Sequence, residues 1–398
     1  MATDFLVIGG GVIGINVARG IKRIYPDSTV SLIEKEASFG EHASGRNSGV
    51  LHAGFYYTPD SLKARFTRQG NEQLTAYCAE KRIALNRCGK LVVAKDESEL
   101  AGLDELVRRG RANGIKLEVL DEGSAKSIEP RVKTFQRAIF SPTTSTVDPA
   151  SVMKVMVADA KSEGIQLQPG VAYVRRDKRS VHTSAGKVTA GYVVNAAGLY
   201  ADRIARQFGF SDRYRILPFK GLYLYSNEPA GSFKTNIYPV PDLKNPFLGV
   251  HFTITADGKA KIGPTAIPAL WREHYRGLGR FKAGECAEII MRSLGLMVNA
   301  NFNFSELALQ EARKYFRSRM VALAGALATG VRREHFRQWG RPGIRAQLLD
   351  VTTHKLEMDF VLEGDDRSMH VLNAVSPAFT CALPFSEFVC EQIRQRLN

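Results

Sequence analysis

The four apolar residues Phe5-Leu6-Val7-Ile8 predict a strand over Asp4–Gly9, and the segment from Val12 to about Ile24 predicts a helix. Pro26-Asp27-Ser28 reads as a turn and Thr29–Glu34 as a second strand. Strand, glycine turn, helix and strand in that order make a βαβ unit. Farther along, Ser61–Arg82 reads as a long amphipathic helix with Leu62, Phe66, Leu74 and Tyr77 on one side. Lys90–Lys95 is strand-like, Glu97–Asn113 is a charged helix and Pro149–Glu163 is a further helix. Short β-rich stretches then end in Tyr192-Val193-Val194-Asn195-Ala196-Ala197-Gly198. From Ile216 to Pro264 strands alternate with turns, including Leu222-Tyr223-Leu224-Tyr225 and Phe247–Thr255. Cys286–Val331 is mostly helical, and Ser386–Leu397 closes the chain as a helix.

Elements of the βαβ kind are thus spread along the chain with β-rich material between them. An α/β, Rossmann-like nucleotide domain of residues 1–85, 145–215 and 340–398, holding an inserted mixed-sheet α+β domain of residues 86–144 and 216–339, accounts for this order. Length agrees: 398 residues exceed the ~250–300 at which single cores stop growing, and 44% hydrophobic content can fill two. The five cysteines are odd in number and lack short paired spacing. That argues against a disulfide framework and a zinc site, and fits a reducing, cytoplasmic compartment. Met1-Ala2-Thr3-Asp4 runs straight into the first strand, so no signal peptide is expected. The longest apolar run, Met320–Val331, falls short of the ~18–20 residues that span a bilayer.

Gly9-Gly10-Gly11-Val12-Ile13-Gly14 is a G-x-G-x-x-G that follows an apolar strand and opens a helix. Gly9 makes the tight turn, Gly11 lets the backbone approach a pyrophosphate, and Gly14 permits close helix–strand packing. Free N–H groups at the helix start suit the phosphates. Glu34 ends the second strand ~20 residues beyond the fingerprint, where a carboxylate accepts both ribose hydroxyls and disfavours a 2′-phosphate, hence NADP.

The stretch Ser44-Gly45-Arg46-Asn47-Ser48-Gly49-Val50-Leu51-His52-Ala53-Gly54-Phe55-Tyr56-Tyr57 resembles the L-2-hydroxyglutarate oxidase/dehydrogenase family, within the D-amino-acid-oxidase-like flavoproteins. Further matching segments include Gly89-Lys90-Leu91, Thr146-Val147-Asp148, Pro218-Phe219-Lys220-Gly221, Leu248-Gly249-Val250-His251-Phe252-Thr253, Gly343-Ile344-Arg345-Ala346-Gln347 and Ser376-Pro377-Ala378-Phe379-Thr380. They run in the family's order over nearly the full length. The chain departs from the family at Thr265-Ala266 and at Cys381-Ala382-Leu383-Pro384-Phe385-Ser386, where the proline is expected to shift the start of the last helix. The resemblance implies a D-amino-acid-oxidase type of fold, non-covalent FAD, and oxidation of L-2-hydroxyglutarate with electrons passed to a quinone or oxygen.

Oxidising an α-hydroxy acid requires a base for the hydroxyl proton, an acceptor for the C2 hydride, and cations for the carboxylates. His52 and His251, each inside a family-like motif, are the candidate bases, and either could instead hold the distal carboxylate. Arg345 is the expected carboxylate anchor, since a guanidinium matches a carboxylate bidentately. Lys220 is expected at the flavin edge or on the substrate. Tyr56, Tyr57 and Thr380 are further candidate substrate contacts. Lys35, Ser44, Asn47, Ser48, Val171, Ala197, Gly198, Ser376 and Pro377 join Gly9, Gly11, Gly14 and Glu34 as expected cofactor contacts, Gly198 on the adenine side and Ser376–Thr380 on the isoalloxazine side.

Lys plus Arg total 55 against 40 acids, a formal +15, which favours anionic partners of any class. No RNA-binding module is recognisable, so nucleic acid is not an expected partner; the small dicarboxylate partner is what the resemblance implies. Met320–Val331, ringed by Arg313, Lys314, Arg317, Arg319, Arg332, Arg333, Arg337 and Arg341, reads either as a core helix with basic ends or as a helix lying on an anionic membrane, peripheral on the cytoplasmic face and close to quinone. The rival enzymes are an oxidase of an amino acid or secondary amine and an RNA-modifying flavoprotein; a non-catalytic FAD-binding protein is the remaining alternative.

Overall fold

The computed structural model describes residues 2–177, 180–242, 249–299 and 304–397. Phe247 and Leu248 of one expected strand, and residues 300–303 of the expected helical run, lie outside the described residues. The chain forms two units, one of Met1–Asn47, Pro149–Pro218 and Arg345–Asn398, the other of Ser48–Asp148 and Phe219–Ile344.

The first unit is built on parallel strands in the order Gln166–Pro169, Val30–Glu34, Ala2–Ile8, Gly186–Asn195 and Ser368–Asn373. Leu6, Val7, Leu32 and Val194 have no exposed surface, as expected of strands covered on both faces. Val361–Gly364 and the hairpin Tyr173–Asp177/Ser180–Thr183 extend the sheet antiparallel. Register aligns Ile8 with Ile33 and with Asn195, so three strands deliver their carboxyl ends together. In open α/β sheets ligands bind outside those ends.

Helix Val12–Ile24 packs on the last helix, Ala382–Leu397. Ser386 Oγ reaches the Ile13 carbonyl at 3.4 Å and Cys390 Sγ the Val17 carbonyl at 3.5 Å. Each step advances four residues on both helices, so the two run parallel and their N-termini share one end. Gly20 permits the approach, since a Cβ there would lie 2.6 Å from Cys390 Sγ. The last helix begins four residues earlier than Ser386, with Pro384 in its first turn, where a missing N–H costs no helical bond.

The second unit holds an eight-stranded sheet ordered Phe336–Trp339, Leu224–Ser226, Ala260–Gly263, His251–Ile254, Asn236–Pro239, Lys90–Val93, Arg137–Ser141, Glu118–Asp121. Side chains alternate across it. Leu91, Val93, Ile237, Phe252, Ile262 and Leu224 point to one face and form an apolar cluster with Met320, Val321, Ala324 and Leu327. Burial of each large apolar side chain contributes about 1.5–3 kcal/mol. The Met320–Val331 run is therefore core and is not free to lie on a membrane, whatever its arginine neighbours suggest. Among the described residues no helix is long and apolar enough to cross a membrane.

Residues 48–85, expected with the nucleotide domain, belong instead to the second unit. Val50–Leu51 and Leu85–Asn86 both pair with Ser145–Val147. Helix Leu62–Glu80 starts at Ser61, whose Oγ accepts from Ala64 N–H at 3.1 Å, and buries Phe66, Leu74 and Cys78. From that helix Asn71 Nδ2 donates to the Leu51 and Thr143 carbonyls.

Candidate functional site

In the first unit the site is made mostly of backbone. Gly9 adopts φ +110°, and a Cβ on it would lie 2.5 Å from the Ala196 carbonyl oxygen. A Cβ on Gly14 would fall 1.9 Å from the Gly9 oxygen, so neither glycine tolerates a side chain. The helix after them has no side-chain cap of its own. Ser44 takes that place from another segment, its Oγ accepting from Val12 N–H at 2.9 Å. A hydroxyl that accepts there keeps its own proton for an anion at the same helix start.

Glu34 is buried, and each of its oxygens takes a backbone donor: Gly10 N–H at 2.7 Å and Glu36 N–H at 2.9 Å. The carboxylate is thereby held rigid, and its remaining lone pairs can meet ribose hydroxyls. Val171 N–H donates to the Glu34 carbonyl at 2.8 Å, and Ala197 N–H to Asn195 Oδ1 at 3.2 Å. Gly198 has φ +52° and open space where a Cβ would point. Asn47 Nδ2 donates to the Ser44 carbonyl at 2.7 Å and steadies the Ala43–Gly45 turn. Lys35 pairs with Glu36 and lies 5.6 Å from the Tyr200 ring centroid. Ser376 and Pro377 lead into the last helix, where Cys381 N–H donates to the Pro377 carbonyl, and Thr380 is buried beside them. Arg345 stands half-buried on strand Gly343–Asp350.

In the second unit the chemistry belongs to side chains on the sheet face opposite the apolar cluster. Alternation puts Lys90, Tyr238, His251, Thr253 and Lys261 there, all buried. The His251 ring stacks on Tyr238 at 3.6 Å between centroids, and its Nδ1 sits 3.0 Å from the Gly249 carbonyl, which fixes the proton on Nδ1. Lys90 Nζ lies 4.3 Å from the Tyr238 centroid, 5.0 Å from that of Tyr56 and 5.4 Å from that of Phe55. The same amine is 3.4 Å from His52 Nδ1. Burial and the Lys90 charge hold the His52 imidazole well below its ordinary range. Burial pushes Lys90 itself down to about 7.

Tyr56 and Tyr238 keep buried phenol oxygens without a hydrogen bond of normal geometry, Tyr238 facing Thr253. Tyr57, half-buried, packs against the same cluster. Lys261 donates to the Ser48 carbonyl at 3.0 Å and lies 4.8 Å from the Tyr223 centroid, with burial lowering it to about 8. Lys220, also brought to about 8 by burial, has a different neighbourhood: the Tyr315 ring and His274. The structure therefore groups His52, His251, Tyr56 and Tyr57, and sets Lys220 apart from them. None of Lys90, Lys220 and Lys261 forms an ion pair with a carboxylate among the described residues. Buried Arg19, by contrast, is neutralised by Asp159 and Glu163. Buried amines with lowered pKa are groups whose charged form an anion beside them would favour.

The sequence profile described as FAD dependent oxidoreductase matches residues 4–391. The chain belongs to that family. It is 35% identical to the mitochondrial L-2-hydroxyglutarate dehydrogenase of Homo sapiens, across 99% of this chain and 89% of the relative. It is 33% identical to the L-2-hydroxyglutarate dehydrogenase of Escherichia coli (strain K12), across 99% and 94%. Among solved structures, the FAD-bound L-alpha-glycerophosphate oxidase from Mycoplasma pneumoniae superposes with a TM-score of 0.77 at 20% identity, covering 100% of this chain and 95% of that one. Glycine oxidase from Geobacillus kaustophilus gives 0.72 at 20% identity, covering 99% and 95%. The fold is the D-amino-acid-oxidase type expected from the sequence.

FAD is the cofactor of this oxidoreductase family, and the first unit fits it. Gly9 and Gly14 let the turn, the helix start and the neighbouring strand end pack tightly together, a helix start carries a spare hydroxyl proton, and a buried carboxylate is fixed at the end of the second strand. Lys90 and Lys261 are the residues that sequence reasoning missed. The available signal was a lysine at an inward position of an apolar strand, in Gly89-Lys90-Leu91-Val92-Val93 and in Ala260-Lys261-Ile262-Gly263.

Proposed function

We propose that this oxidoreductase converts L-2-hydroxyglutarate to 2-oxoglutarate. The observation that carries the reading is the set of buried lysines without carboxylate partners, which suits a dianionic substrate, in a chain similar over its length to L-2-hydroxyglutarate dehydrogenases. FAD, when bound, accepts the C2 hydride. The Gly9–Gly14 turn with Ser44 holds its pyrophosphate and Glu34 its ribose. Asn47 and Ser48 line the approach, Val171, Ala197 and Gly198 take the adenine side, and Ser376–Thr380 the isoalloxazine side, without a covalent link. Arg345 receives one substrate carboxylate as a bidentate partner. Lys220 and Lys261 offer the remaining positive charge. His52, kept neutral by burial, takes the hydroxyl proton, and His251 orients the substrate.

Quinone is the proposed electron acceptor, reached from a membrane surface. Helix Ala283–Asn299 exposes Ile290, Met291, Leu294, Met297 and Val298, a stripe at helical spacing with Val298 83% exposed. Among the described residues of 270–319, Arg276, Arg280, Lys282, Arg313 and Arg319 are exposed and Glu306 is the single exposed acid, although Arg280 and Lys282 pair with Glu273 and Glu285. That combination suits an anionic lipid surface. Flotation with anionic vesicles, lost on Met291→Asp/Val298→Asp, supports it; full recovery in the soluble fraction at low salt contradicts it.

The substrate assignment is tested by anaerobic titration of the yellow protein with L- and D-2-hydroxyglutarate, followed by loss of flavin absorbance. Bleaching by the L isomer alone is the expected result. If neither isomer bleaches the protein the substrate is wrong, and amino acids or amines are the next candidates on the same fold.

A further inference from the structure

His370 takes no part in the roles assigned above, yet both of its ring nitrogens have a fixed neighbour. It lies on strand Ser368–Asn373 with no exposed surface, its ring centroid 5.0 Å from those of Phe208 and Phe210. Nδ1 is 3.1 Å from Asn195 Nδ2, and Nε2 is 3.1 Å from Ser368 Oγ. Which atoms carry the protons follows from the main chain around Asn195. Its Oδ1 accepts from Ala197 N–H at 3.2 Å, and its Nδ2 donates to the Ala201 carbonyl at 2.8 Å. An N–H needs an acceptor and a carbonyl a donor, so the carboxamide can stand only one way round. Nδ2 has a second hydrogen and no lone pair to offer. His370 Nδ1 is therefore the acceptor, and the imidazole is neutral with its proton on Nε2. That proton goes to Ser368 Oγ, whose own proton goes to Asp365 Oδ1 at 3.2 Å.

A chain of oriented hydrogen bonds thus runs from the Asp365 carboxylate through Ser368, His370 and Asn195 to Ala197 N–H. It ends at the carboxyl end of strand Gly186–Asn195, beside the fingerprint turn. Ala196 N–H donates to the Ile8 carbonyl at 2.9 Å, and a Cβ on Gly9 would meet the Ala196 oxygen at 2.5 Å. A carboxamide that turned over would release both Ala197 N–H and the Ala201 carbonyl. The imidazole opposes that turn, because its Nδ1 lone pair would then face an oxygen.

We propose that His370 is a positioning residue for FAD: as a neutral, Nε2-protonated imidazole it locks the Asn195 carboxamide and so holds the Ala196–Gly198 turn in the form that binds the cofactor. The charges around the ring agree. Burial lowers the imidazole to about 4, Asp365 opposing the fall and Arg176 adding to it. Glu363, opposite His370 on the antiparallel neighbour, accepts from Ser211 N–H at 2.6 Å. Asp202 of helix Ala201–Gln207 accepts from Ile216 N–H at 3.1 Å, and Arg176 lies 4.4 Å from the Phe208 centroid. The ring is therefore neutral throughout the neutral pH range. Glutamine can stand in for it, since Oε1 accepts from Asn195 while Nε2 donates to Ser368; leucine can do neither.

The role rests on FAD lying against the Ala197–Gly198 turn, as placed above, and not on the identity of the substrate. Release of FAD from the diluted yellow holoenzyme is followed by the rise in flavin fluorescence. His370→Leu should release FAD about tenfold faster than wild type, as the loss of one buried hydrogen bond does, and His370→Gln within about twofold of wild type. A wild-type rate in the Leu variant overturns the proposal. Equally fast release from the Gln variant does so too, since packing would then be the cause. Melting temperatures with and without FAD separate positioning from plain stabilisation. The Leu variant should show a smaller FAD-induced rise; a residue that only stabilises the fold lowers both temperatures and leaves the rise intact.

Gly198→Asp reads the placement of FAD by itself, because it puts a carboxylate into the open space beside the turn. Faster release there with an unchanged Leu variant removes the His370 role alone. Unchanged release there removes FAD from the turn, and the His370 role with it. A final readout does not depend on release. Histidine ring-nitrogen shifts of the ¹⁵N-labelled holoenzyme at pH 7, assigned with His370→Gln, should show the His370 proton on Nε2 and a bare Nδ1. A proton on Nδ1, or a doubly protonated ring, overturns the proposal.

Discussion

The two units present their candidate binding groups by opposite means. In the first, recognition belongs to the main chain: Gly9 and Gly14 exclude side chains, two parallel helices start at one end, and Glu34 is pinned by two N–H groups. In the second, the candidate groups are side chains, Lys90, Tyr238, His251 and Lys261 brought together by one sheet, with His52 beside Lys90. At Gly9 and Gly14 one added methyl runs into backbone, so the turn there is kept or lost whole. A side-chain site degrades by degrees, and its charges can be titrated.

The largest effect should therefore come from the main chain. Gly14→Ala puts a Cβ 1.9 Å from the Gly9 oxygen, and the protein should be isolated without yellow colour. Stoichiometric flavin in that variant would contradict the backbone account. Next comes His52→Gln, expected to keep FAD absorbance while lowering the anaerobic bleaching rate about 10²–10⁴-fold. His251→Gln should cost only about tenfold, as an orienting contact does. The reverse ranking would exchange the two histidines.

Lys90 sharpens the contrast in stability. Its folded value of about 7 lies below the ordinary 10.5, so the unfolded chain holds the extra proton between those pH values. The cost of the buried charge is complete below pH 7 and fades as pH rises towards 10.5. Lys90→Met should accordingly raise the melting temperature by about 5 °C at pH 6 and by less at pH 10, at the expense of activity. Equal melting curves at both pH values would show that the amine is not desolvated. The smallest effect is expected of Gly198→Ala, which meets open space and bears only the strain of φ +52°, about 1–2 kcal/mol. It should retain FAD.

What the sequence made legible follows the same division. The fingerprint glycines and Glu34 form a local pattern, because the turn, helix start and second strand lie within one βαβ unit, and that pattern makes the candidate nucleotide site legible. The last helix is legible but its start is not: the sequence pattern begins it at Ser386, whereas it begins at Ala382 with Pro384 in its first turn. Lys90 was passed over because its partners Phe55, Tyr56, Tyr238 and His52 are close only after the sheet forms. Met320–Val331 was open to two readings because an apolar run flanked by arginines suits a core helix and a membrane-lying one equally. Only the apolar sheet face waiting for Met320 and Val321 decides between them. Residues 48–85 were assigned across the wrong boundary for a related reason: the pairing of Val50–Leu51 with Ser145–Val147 spans nearly a hundred residues of sequence.

The central claim is that the unpaired buried lysines of the second unit receive a dianion. Calorimetric titration of the oxidised holoenzyme with 2-oxoglutarate at pH 8, in buffers of different ionisation enthalpy, measures the protons taken up on binding. Lys220 and Lys261, both near 8, are half-neutral there, and a carboxylate beside them raises their affinity for protons. The account predicts uptake of roughly half to one proton, abolished in Lys220→Met/Lys261→Met. Tight binding with no proton uptake would contradict it.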